Sequence, residues 1–535
     1  MRLSILCQFN RIANLKRAVR RVASVPGNFI LSHPATPQPQ PLDWARIRVV
    51  FAAVAVTLFL ASLGQTVPTT ALTTIVGELG GLDQITWVIT AYLLAATVGA
   101  PVFGKLGDLF GRKGVLQVGI LVFLCGSVLC ALAPSIWVLV AGRAVQGFGG
   151  GGLIVVSMAA IADVLPARQR GRFQGILGSV FGLSTVVGPL AGGFIVQHFA
   201  WEWIFLLNLP LGLAVLGILT VALEKSPRRE RAKLDYTGAA MLALLLSLAV
   251  IIANLGGVVL PWGSPLTILM LCGMAVALAG FILAERRASE PLLPLKLFTL
   301  NNFVVSNLVG LITGVAMFST ITFVPFFMQV VKGVSPAASG VYVFPMMLGL
   351  VTTSAIAGRI MSITGRYRIL PVWSTLLLAV GMILMATAGP DTPNPLIAVY
   401  MLMAGIGIGP VMSVGITAIQ NSVPFSMVGV GTASANMFRL IGGSLGTAAY
   451  GAVFAAGLTR TLGTVLPDTN PRALSAQQIA AMEPETQALV IEGIAQALHP
   501  VFWASAVLAC LASAVALLMV EHPLEDQLPA ARPAE

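Results

Sequence analysis

Charged side chains in apolar surroundings are the residues of this sequence that could do chemistry. A short basic segment at 104–114, G-K-L-G-D-L-F-G-R-K-G, separates two apolar runs and carries Asp108 and Arg112 four residues apart. Arg143 and Arg439 lie inside apolar runs. An ionised arginine there costs roughly several kcal/mol unless it faces a partner or a water-filled cavity. These four side chains are therefore the first candidates for a functional site.

The elements that position these residues follow from composition. Hydrophobic residues make up 57% of the 535 residues, charged residues only 10%, and the mean hydropathy is +0.91. Soluble proteins carry about 25% charged residues, so a soluble enzyme is excluded, and the apolar content also excludes a disordered chain. A helix needs about 20 apolar residues to cross a bilayer. Fourteen such runs, numbered here as spans 1 to 14, lie at roughly 47–76, 85–104, 113–133, 136–162, 173–197, 202–223, 236–256, 266–284, 301–331, 337–361, 369–389, 395–420, 427–458 and 499–520.

The distribution of basic residues predicts the orientation of the spans. If the N-terminus is cytoplasmic, the outer loops hold only Lys332, Arg460 and Arg472 of the 31 Lys and Arg residues. Basic residues favour cytoplasmic loops, so we expect a multi-pass protein of the cytoplasmic (inner) membrane with both termini inside. The net charge of +11 then reflects topology, and no nucleic-acid partner is expected.

Several other classes of site lack a signal in the sequence. The five cysteines show no C-x-x-C spacing, which argues against a disulfide framework and a metal site. No Walker loop, H-E-x-x-H or G-x-S-x-G pattern is present. We therefore expect no enzyme, no metal and no cofactor. For the basic tail and Pro-rich linker at 1–45, an interfacial helix, a transit-like segment and a dispensable tail all remain open.

An internal repeat predicts the domain organisation. The segment G-R-I-M-S-I-T-G-R-Y, starting at Gly358, matches the one starting at Gly104 and has Ser362 opposite Asp108. Each copy follows the second helix of a six-helix set, which is typical of transporters with a site at the interface between two halves. The predicted fold is an all-α integral membrane protein with two six-helix halves and two inserted helices. The predicted divisions are a first half at 46–223, an inserted helix pair at 224–290, a second half at 291–525 with an outer loop at 459–498, and a cytoplasmic tail at 526–535.

These features resemble the fourteen-span drug:proton antiporter group of the major facilitator superfamily. The resemblance covers about residues 45–525 and is carried by the segment at 104–114 and three further motifs. The three are A-G-R-A-V-Q-G-F-G-G-G-G in span 4, G-I-L-G-S-V-F-G-L-S-T-V-V-G-P-L-A-G-G in span 5, and L-G-Q-T-V-P-T-T-A-L-T-T-I followed by W-V-I-T-A-Y-L-L in spans 1 and 2. It implies the major facilitator fold, alternating access and export by antiport.

The resemblance also implies roles for particular residues. The basic segment would latch the cytoplasmic ends of the two halves, through Gly104, Asp108, Gly111, Arg112 and Asp163, with a weaker second copy because of Ser362. The span-4 arginine is linked in the family to proton transfer and cavity electrostatics, so proton or cavity roles fall to Arg143, Gln146 and Arg439. The antiport motif of span 5, which has Ser184 in place of one expected glycine, comprises Gly175, Gly188, Pro189, Gly192 and Gly193.

The substrate cavity would be lined from spans 1, 2, 4, 5, 9, 10, 12 and 13. The polar and apolar candidates are Gln65, Thr66, Trp87, Tyr92, Asn307, Phe318, Phe326, Gln329, Phe344, Met412 and Asn436. Gln146 and Arg439 complete the polar set, and Met317 joins the apolar set. Most Met and Phe residues of such a chain serve packing or face lipid.

The position of the proton site stays open. The family usually has an aspartate in the span-1 motif where this chain has Gly64, and no acidic residue or histidine lies mid-span. Coupling could use a peripheral group such as Glu78, Asp83 or Asp108. Alternatively, an anionic substrate could compensate the positive charge of Arg143 and Arg439, or transport could be only weakly coupled to protons or not coupled at all.

The sequence thus predicts a secondary active exporter of lipophilic compounds, with protons and membrane lipid as further partners. The superfamily resemblance suggests a monomer. The alternative is an exporter of a lipid, siderophore or anionic amphiphile with weak or unusual proton coupling. A remote alternative is a non-transporting membrane sensor that kept the fold.

Overall fold

The structure, a computed structural model, describes residues 44–79, 85–223, 235–256, 260–334, 336–463, 479, 482–522 and 524. These residues form α-helices, three short 3-10 turns and loops, with one isolated bridge between Gly256 and Leu260. The helices are α1 (Trp44–Thr66), α2 (Leu72–Leu79), α3 (Ile85–Phe110), α4 (Arg112–Ala131), α5 (Ile136–Val164), α6 (Ala167–His198), α7 (Trp203–Leu206), α8 (Asn208–Ala222), α9 (Tyr236–Leu255), α10 (Pro265–Arg287), α11 (Asn301–Val330), α12 (Pro336–Val341), α13 (Phe344–Thr364), α14 (Ile369–Ala386), α15 (Asn394–Ser422), α16 (Val428–Leu462) and α17 (Pro484–Ala516).

The all-helical membrane fold is confirmed. Within the described residues, 13 helices are long and apolar enough to cross a membrane. Predicted span 7 corresponds to α9, whose apolar stretch, Tyr236–Ile252, is shorter. The chain is therefore a multi-pass membrane protein. The predictions for 1–43 lie outside the described residues.

Predicted span 1 is broken rather than continuous. Helix α1 ends at Thr66, a 3-10 turn covers Val67–Thr70, and α2 begins at Leu72. Pro68 lies in that turn and has no backbone N–H to continue an α-helical hydrogen-bond ladder. The prediction of one run from 47 to 76 was wrong, because apolar composition alone does not reveal a change of helix type.

The predicted outer loop at 459–498, a polar and Pro-containing segment that the sequence allows to be partly helical, contains helix at both ends. Helix α16 continues to Leu462, and α17 already begins at Pro484. Proline suits the first turn of a helix because its missing N–H is one of the unpaired donors there. Glu485 in that first turn adds a favourable charge beside the helix dipole. The part of this segment from Pro484 onward is thus an extension of the last helix.

The predicted halves meet at several helix pairs, and two of these crossings are equivalent by the internal repeat. Here α1–α8 are called the first half and α11–α17 the second half, with α9 and α10 inserted between them. Helix α3 packs against α16, and α6 packs against α13. The inserted helix α9 lies against both α3 and α16. These two crossings bring the repeated segments at Gly104 and Gly358 to the same interface.

Candidate gate and central cavity

Asp108 joins the two halves at the end of α3. Its carboxylate accepts hydrogen bonds from the backbone N–H groups of Gly429 and Val430, each 2.9 Å long. These donors belong to the first turn of α16, where N–H groups have no partner within the helix and carry partial positive charge. Arg112 lies 3.6 Å from Asp108 and 3.0 Å from Asp163. The aspartate is thus held between a helix start and a cation, and we call this end of the bundle the Asp108 end.

Glycines permit the close approach of the helices at both crossings. A Cβ on Gly104 would lie 2.9 Å from the carbonyl oxygen of Gly429, and one on Gly429 would lie 2.6 Å from that of Gly104. In the repeated segment, a Cβ on Gly358 would lie 2.2 Å from the carbonyl oxygen of Gly171. Each crossing therefore pairs two glycines, one from each half, with backbone against backbone.

The glycine that follows each repeated helix is required for a different reason. Gly111 has a φ of 87° between α3 and α4, and Gly365 has a φ of 70° at the end of α13. Only glycine adopts positive φ without a steric cost. The sequence match of these two positions therefore corresponds to a shared backbone conformation, which turns the chain away from the interface.

The second crossing is closed by Arg168, which the sequence analysis did not single out. Its Nε donates to the carbonyl oxygen of Ser362 and its Nη2 to that of Ile363, both at 2.9 Å. These carbonyls belong to the last turn of α13, where acceptors lack partners within the helix and carry partial negative charge. Here a cation binds the end of a helix, whereas at Asp108 an anion binds the start of a helix. A cation in the first turn of a helix is unfavourable for that helix, and this oddity is the signal that could have identified Arg168.

Arg143 on α5 is completely buried and bound by neutral groups. Its side chain donates to the carbonyl oxygens of Gly64 (2.6 Å) and Val88 (3.3 Å) and to Gln146 Oε1 (2.6 Å). Its guanidinium carbon lies 4.2 Å from the centre of the Tyr92 ring. This arginine ties α1, α3 and α5 together inside the first half, and its bond to Gln146 joins two side chains three positions apart on α5.

Gly64, which replaces the expected aspartate, contributes its carbonyl oxygen and could not easily bear a side chain. A Cβ there would lie 2.6 Å from Phe123 Cζ and 3.6 Å from Gln146 Nε2. Phe123 is fully buried. The space that a carboxylate would need beside Arg143 is therefore filled by an aromatic ring.

The residues of the predicted antiport motif all lie on α6. They are Gly175, Gly188, Pro189, Gly192 and Gly193. A Cβ on Gly175 would lie 2.4 Å from the carbonyl oxygen of Ser354 in the second half. A Cβ on Gly188 would instead meet Thr66 Oγ1 at 2.1 Å in the first half, and one on Gly193 would have no atom within 4 Å. Only part of the motif thus packs across the interface, and the side chain of Pro189 lies outside the described residues.

A narrow central cavity lies between the halves and leaves room for about one water molecule. A second, adjacent cavity of similar size shares Arg439 with it. The first is lined by Gln65, Tyr92, Leu93, Ala96, Gly151, Ile154, Phe181, Phe318, Asn436, Arg439 and Leu440. The second is lined by Ser306, Gly310, Thr313, Val411, Met412, Gly415, Ile416, Ala435 and Arg439. Neither lining includes an acidic residue.

The structure brings together only some of the predicted cavity residues. Those in the two linings are Gln65, Tyr92, Phe318, Met412, Asn436 and Arg439. Those outside both are Thr66, Trp87, Arg143, Gln146, Asn307, Met317, Phe326, Gln329 and Phe344. Phe326, for example, packs edge-on against Phe454 with ring centres 5.3 Å apart. Phe181 was missed, although an aromatic residue within the glycine-rich motif of span 5 could have drawn attention to it.

Comparisons with known proteins agree with this architecture. Residues 54–447 match the model of the Major Facilitator Superfamily. The chain is 38% identical over 488 residues to an uncharacterized MFS-type transporter of Mycobacterium tuberculosis, covering 91% of this chain and 71% of the relative. It is 35% identical to the multidrug transporter protein MdtP of Bacillus subtilis, covering 76% of this chain and 75% of the relative.

A solved structure shares the fold at low sequence identity. The human organic anion transporter MFSD10 superimposes with a TM-score of 0.59 and 16% identity, covering 88% of this chain and all of that one. At this identity the likeness concerns the fold alone. The family match and the Mycobacterium tuberculosis and Bacillus subtilis relatives show that this chain belongs to the major facilitator superfamily, a family of membrane transporters rather than enzymes.

Proposed function

We propose that the protein is a proton-coupled exporter of lipophilic compounds that works by alternating access. In this proposal it lies in the cytoplasmic membrane, with both termini and the Asp108 end facing the cytoplasm. Multidrug relatives such as the Bacillus subtilis transporter support export, and the excess of basic residues at the Asp108 end supports the orientation.

The observation that carries the proposal is the closure of the interface at the Asp108 end. Asp108 binds the start of α16, and Arg168 binds the end of α13. Along α6, glycines from Gly171 to Gly182 face α13, whereas Gly188 faces α1 and Gly193 has open space around it. The halves therefore pack tightly at the Asp108 end and separate along α6 towards the opposite end. This arrangement is expected of a state closed to the cytoplasm.

The cavity chemistry supports lipophilic substrates. Phe181, Phe318 and Met412 contribute apolar surface to the two cavities. Aromatic rings and thioethers pack against varied ligands, and methionine in particular adapts its shape to them. A larger cavity would open in another conformation of the same halves.

Proton coupling is proposed to act through Asp108. Of the three peripheral candidates, Asp83 lies outside the described residues and Glu78 accepts a hydrogen bond from the Trp201 indole N–H at 3.0 Å. Of the two candidates that lie in the described residues, Asp108 is the one that connects the two halves. A protonated carboxyl group loses the negative charge that binds the helix start, so protonation would release α16 and favour the alternate conformation.

Dye accumulation in inverted vesicles tests this proposal. Lactate-energised vesicles with the wild-type protein should accumulate ethidium, and a protonophore should abolish accumulation. Asp108→Asn should lower the rate about tenfold or more, since hydrogen bonds to charged groups contribute about 1.5–3 kcal/mol. Glu485→Gln, an exposed acid at the start of α17, is the matched control and should leave the rate unchanged.

Two results would contradict the proposal. A well-expressed wild type that moves no lipophilic dye would overturn the exporter function. A protonophore-sensitive Asp108→Asn variant that transports at the wild-type rate would remove Asp108 from the coupling mechanism while leaving export itself intact.

Export of an anionic amphiphile is the second candidate. The specific observation that favours it is Arg439, a buried cation that borders both cavities without an acidic residue in either lining.

A further inference from the structure

Arg439 has unusual surroundings for a buried cation. Its residue is 8% exposed. Its Nη2 donates to Asn436 Oδ1 at 2.5 Å, its Nη1 lies 2.8 Å from Met412 Sδ, and its Nε has no partner in the described residues. A thioether sulfur is a weak acceptor. The guanidinium carbon lies 5.7 Å from the centre of the Phe181 ring in the other half. Within the part of the chain that the structure describes, one amide oxygen is therefore the only strong acceptor bound to this guanidinium.

Comparison with Arg143 shows that this deficit is specific to Arg439. Arg143 is even more deeply buried, at 1% exposed, but three oxygen atoms accept its hydrogen bonds, and it borders neither of the two cavities. Burying a cation without matching acceptors is costly. The guanidinium of Arg143 therefore has its hydrogen-bond acceptors within the first half. The guanidinium of Arg439 lacks further strong acceptors among the described residues, and a group that enters the cavity would supply them.

Two polar side chains that line the same cavities also have unpaired atoms in the described residues. Asn436 and Ser306 are each 4% exposed. Among the described residues, neither the Asn436 Nδ2 donor nor the Ser306 Oγ has a hydrogen-bond partner. Asn436 lines the first cavity and Ser306 the second, and Arg439 lines both. The unpaired Nε and Nδ2 atoms can only donate hydrogen bonds. Donors that converge on a cavity with a cation and no acid favour an anionic oxygen ligand.

We infer that Arg439, with Asn436 beside it, forms a binding subsite for the anionic head group of an amphiphilic ligand. The ligand's carboxylate, or a lipid phosphate with the same charge and acceptors, binds the guanidinium and the Asn436 amide. Its apolar portion packs on Phe181, Phe318 and Met412 in the conformation of the halves that opens the larger cavity. This inference rests on the proposed transport function, since it assigns a ligand class to the same cavity.

Equilibrium binding to the purified full-length protein in phosphatidylcholine nanodiscs tests the subsite. The probe is dansylaminoundecanoic acid, and its methyl ester, which lacks the charge, is the matched ligand. Binding is followed by energy transfer from the protein's tryptophans. The variants are Arg439→Gln, Arg439→Lys and, as the control on the same helix, Arg460→Gln, whose side chain is exposed.

The inference predicts a charge-specific loss. For the acid, Kd should rise about tenfold or more in Arg439→Gln, because a charge-assisted hydrogen bond is lost. Arg439→Lys should lie between that variant and the wild type. For the ester, Kd should change less than about twofold in every variant. Arg460→Gln should match the wild type for both ligands, and thermal unfolding of each variant establishes that it is folded.

A second set of nanodiscs distinguishes the source of the anion. If phosphatidylglycerol competes with the acid in the wild type but not in Arg439→Gln, the subsite is supported and a lipid head group is its ligand. If phosphatidylglycerol has no effect while Arg439→Gln weakens the acid, the subsite is supported and takes a free amphiphile.

Equal effects on acid and ester, or no effect of a folded Arg439→Gln on the acid, would overturn the inference and leave Arg439 a structural residue. Ethidium transport in vesicles reports separately on the proposed function. Dye transport with an indifferent Arg439 rejects only the subsite. Arg439-dependent binding in a protein that transports nothing rejects only the exporter.

Discussion

Replacing Gly358 by alanine should weaken the closure of the Asp108 end. The new Cβ would lie 2.2 Å from the carbonyl oxygen of Gly171 and 3.1 Å from Cα of Arg172. An unstrained carbon–oxygen contact needs about 3.3 Å, so α6 and α13 must move apart by about 1 Å. The obstructing atoms are backbone atoms of a buried helix crossing, which cannot rotate out of the way.

The free-energy cost of Gly358→Ala can be compared with that of the same substitution at a glycine that has free space around it. Overpacking of this kind costs about 1–3 kcal/mol, which corresponds to a factor of roughly 5 to 150 in a conformational equilibrium. Gly217 in α8 has no atom within 4 Å of its ideal Cβ, so Gly217→Ala is the control. Both variants gain about 1 kcal/mol in helix propensity, and the difference between them is therefore steric.

Distances between spin labels measure the outcome. Labels at Phe110 on α3 and Phe425 before α16 lie at exposed positions in opposite halves. In a cysteine-free protein, double electron–electron resonance should show a longer-distance population in Gly358→Ala that is absent in Gly217→Ala. Identical distance distributions and equal transport rates in the two variants would refute the reasoning that this crossing holds the closed state.

Three further predictions concern the arginines and Gly64. Arg168→Gln should lose both charge-assisted bonds to α13 and speed hydrogen exchange at the end of that helix about tenfold or more, measured by mass spectrometry. Arg143→Lys, which lacks the planar fork that reaches several oxygens, should lower the thermal midpoint by several degrees, read from tryptophan fluorescence, since about 1.5–3 kcal/mol is lost. Gly64→Asp should reduce the folded yield because its Cβ meets Phe123, and Gly64→Asp with Phe123→Ala should recover it on size-exclusion chromatography.

The sequence was a good guide to helices and a poorer guide to their ends. Continuous apolar runs identify membrane helices because the bilayer requires every backbone group to bond within its own helix. Pro68 nevertheless divided the first predicted run, and the polar segment before residue 499 proved helical from Pro484. These boundaries depend on helix capping and on packing, which hydropathy does not report.

The candidate site was only partly predictable. Asp108 was identified from its motif, but its partners, Gly429 and Val430, lie more than 300 positions away along the chain. Arg168 was missed because its acceptors are backbone carbonyls, which have no sequence signature. The one signal that the sequence offers is a cation in the first turn of a helix. The cavity list included residues such as Phe326 that lie in neither lining, since hydrophobicity does not distinguish a cavity wall from a packed core.

What the sequence by itself determined was the class of protein and the location of its unusual charges. The scarcity of charged residues requires a membrane environment, and it makes each buried arginine conspicuous. Only the tertiary structure decided which of those charges are satisfied. Arg143 meets three oxygen acceptors inside one half, while Arg439 stands at the boundary of two halves with one. That difference depends on how distant helices cross, because the acceptors of a buried cation come from whichever backbone and side chains the crossing brings beside it.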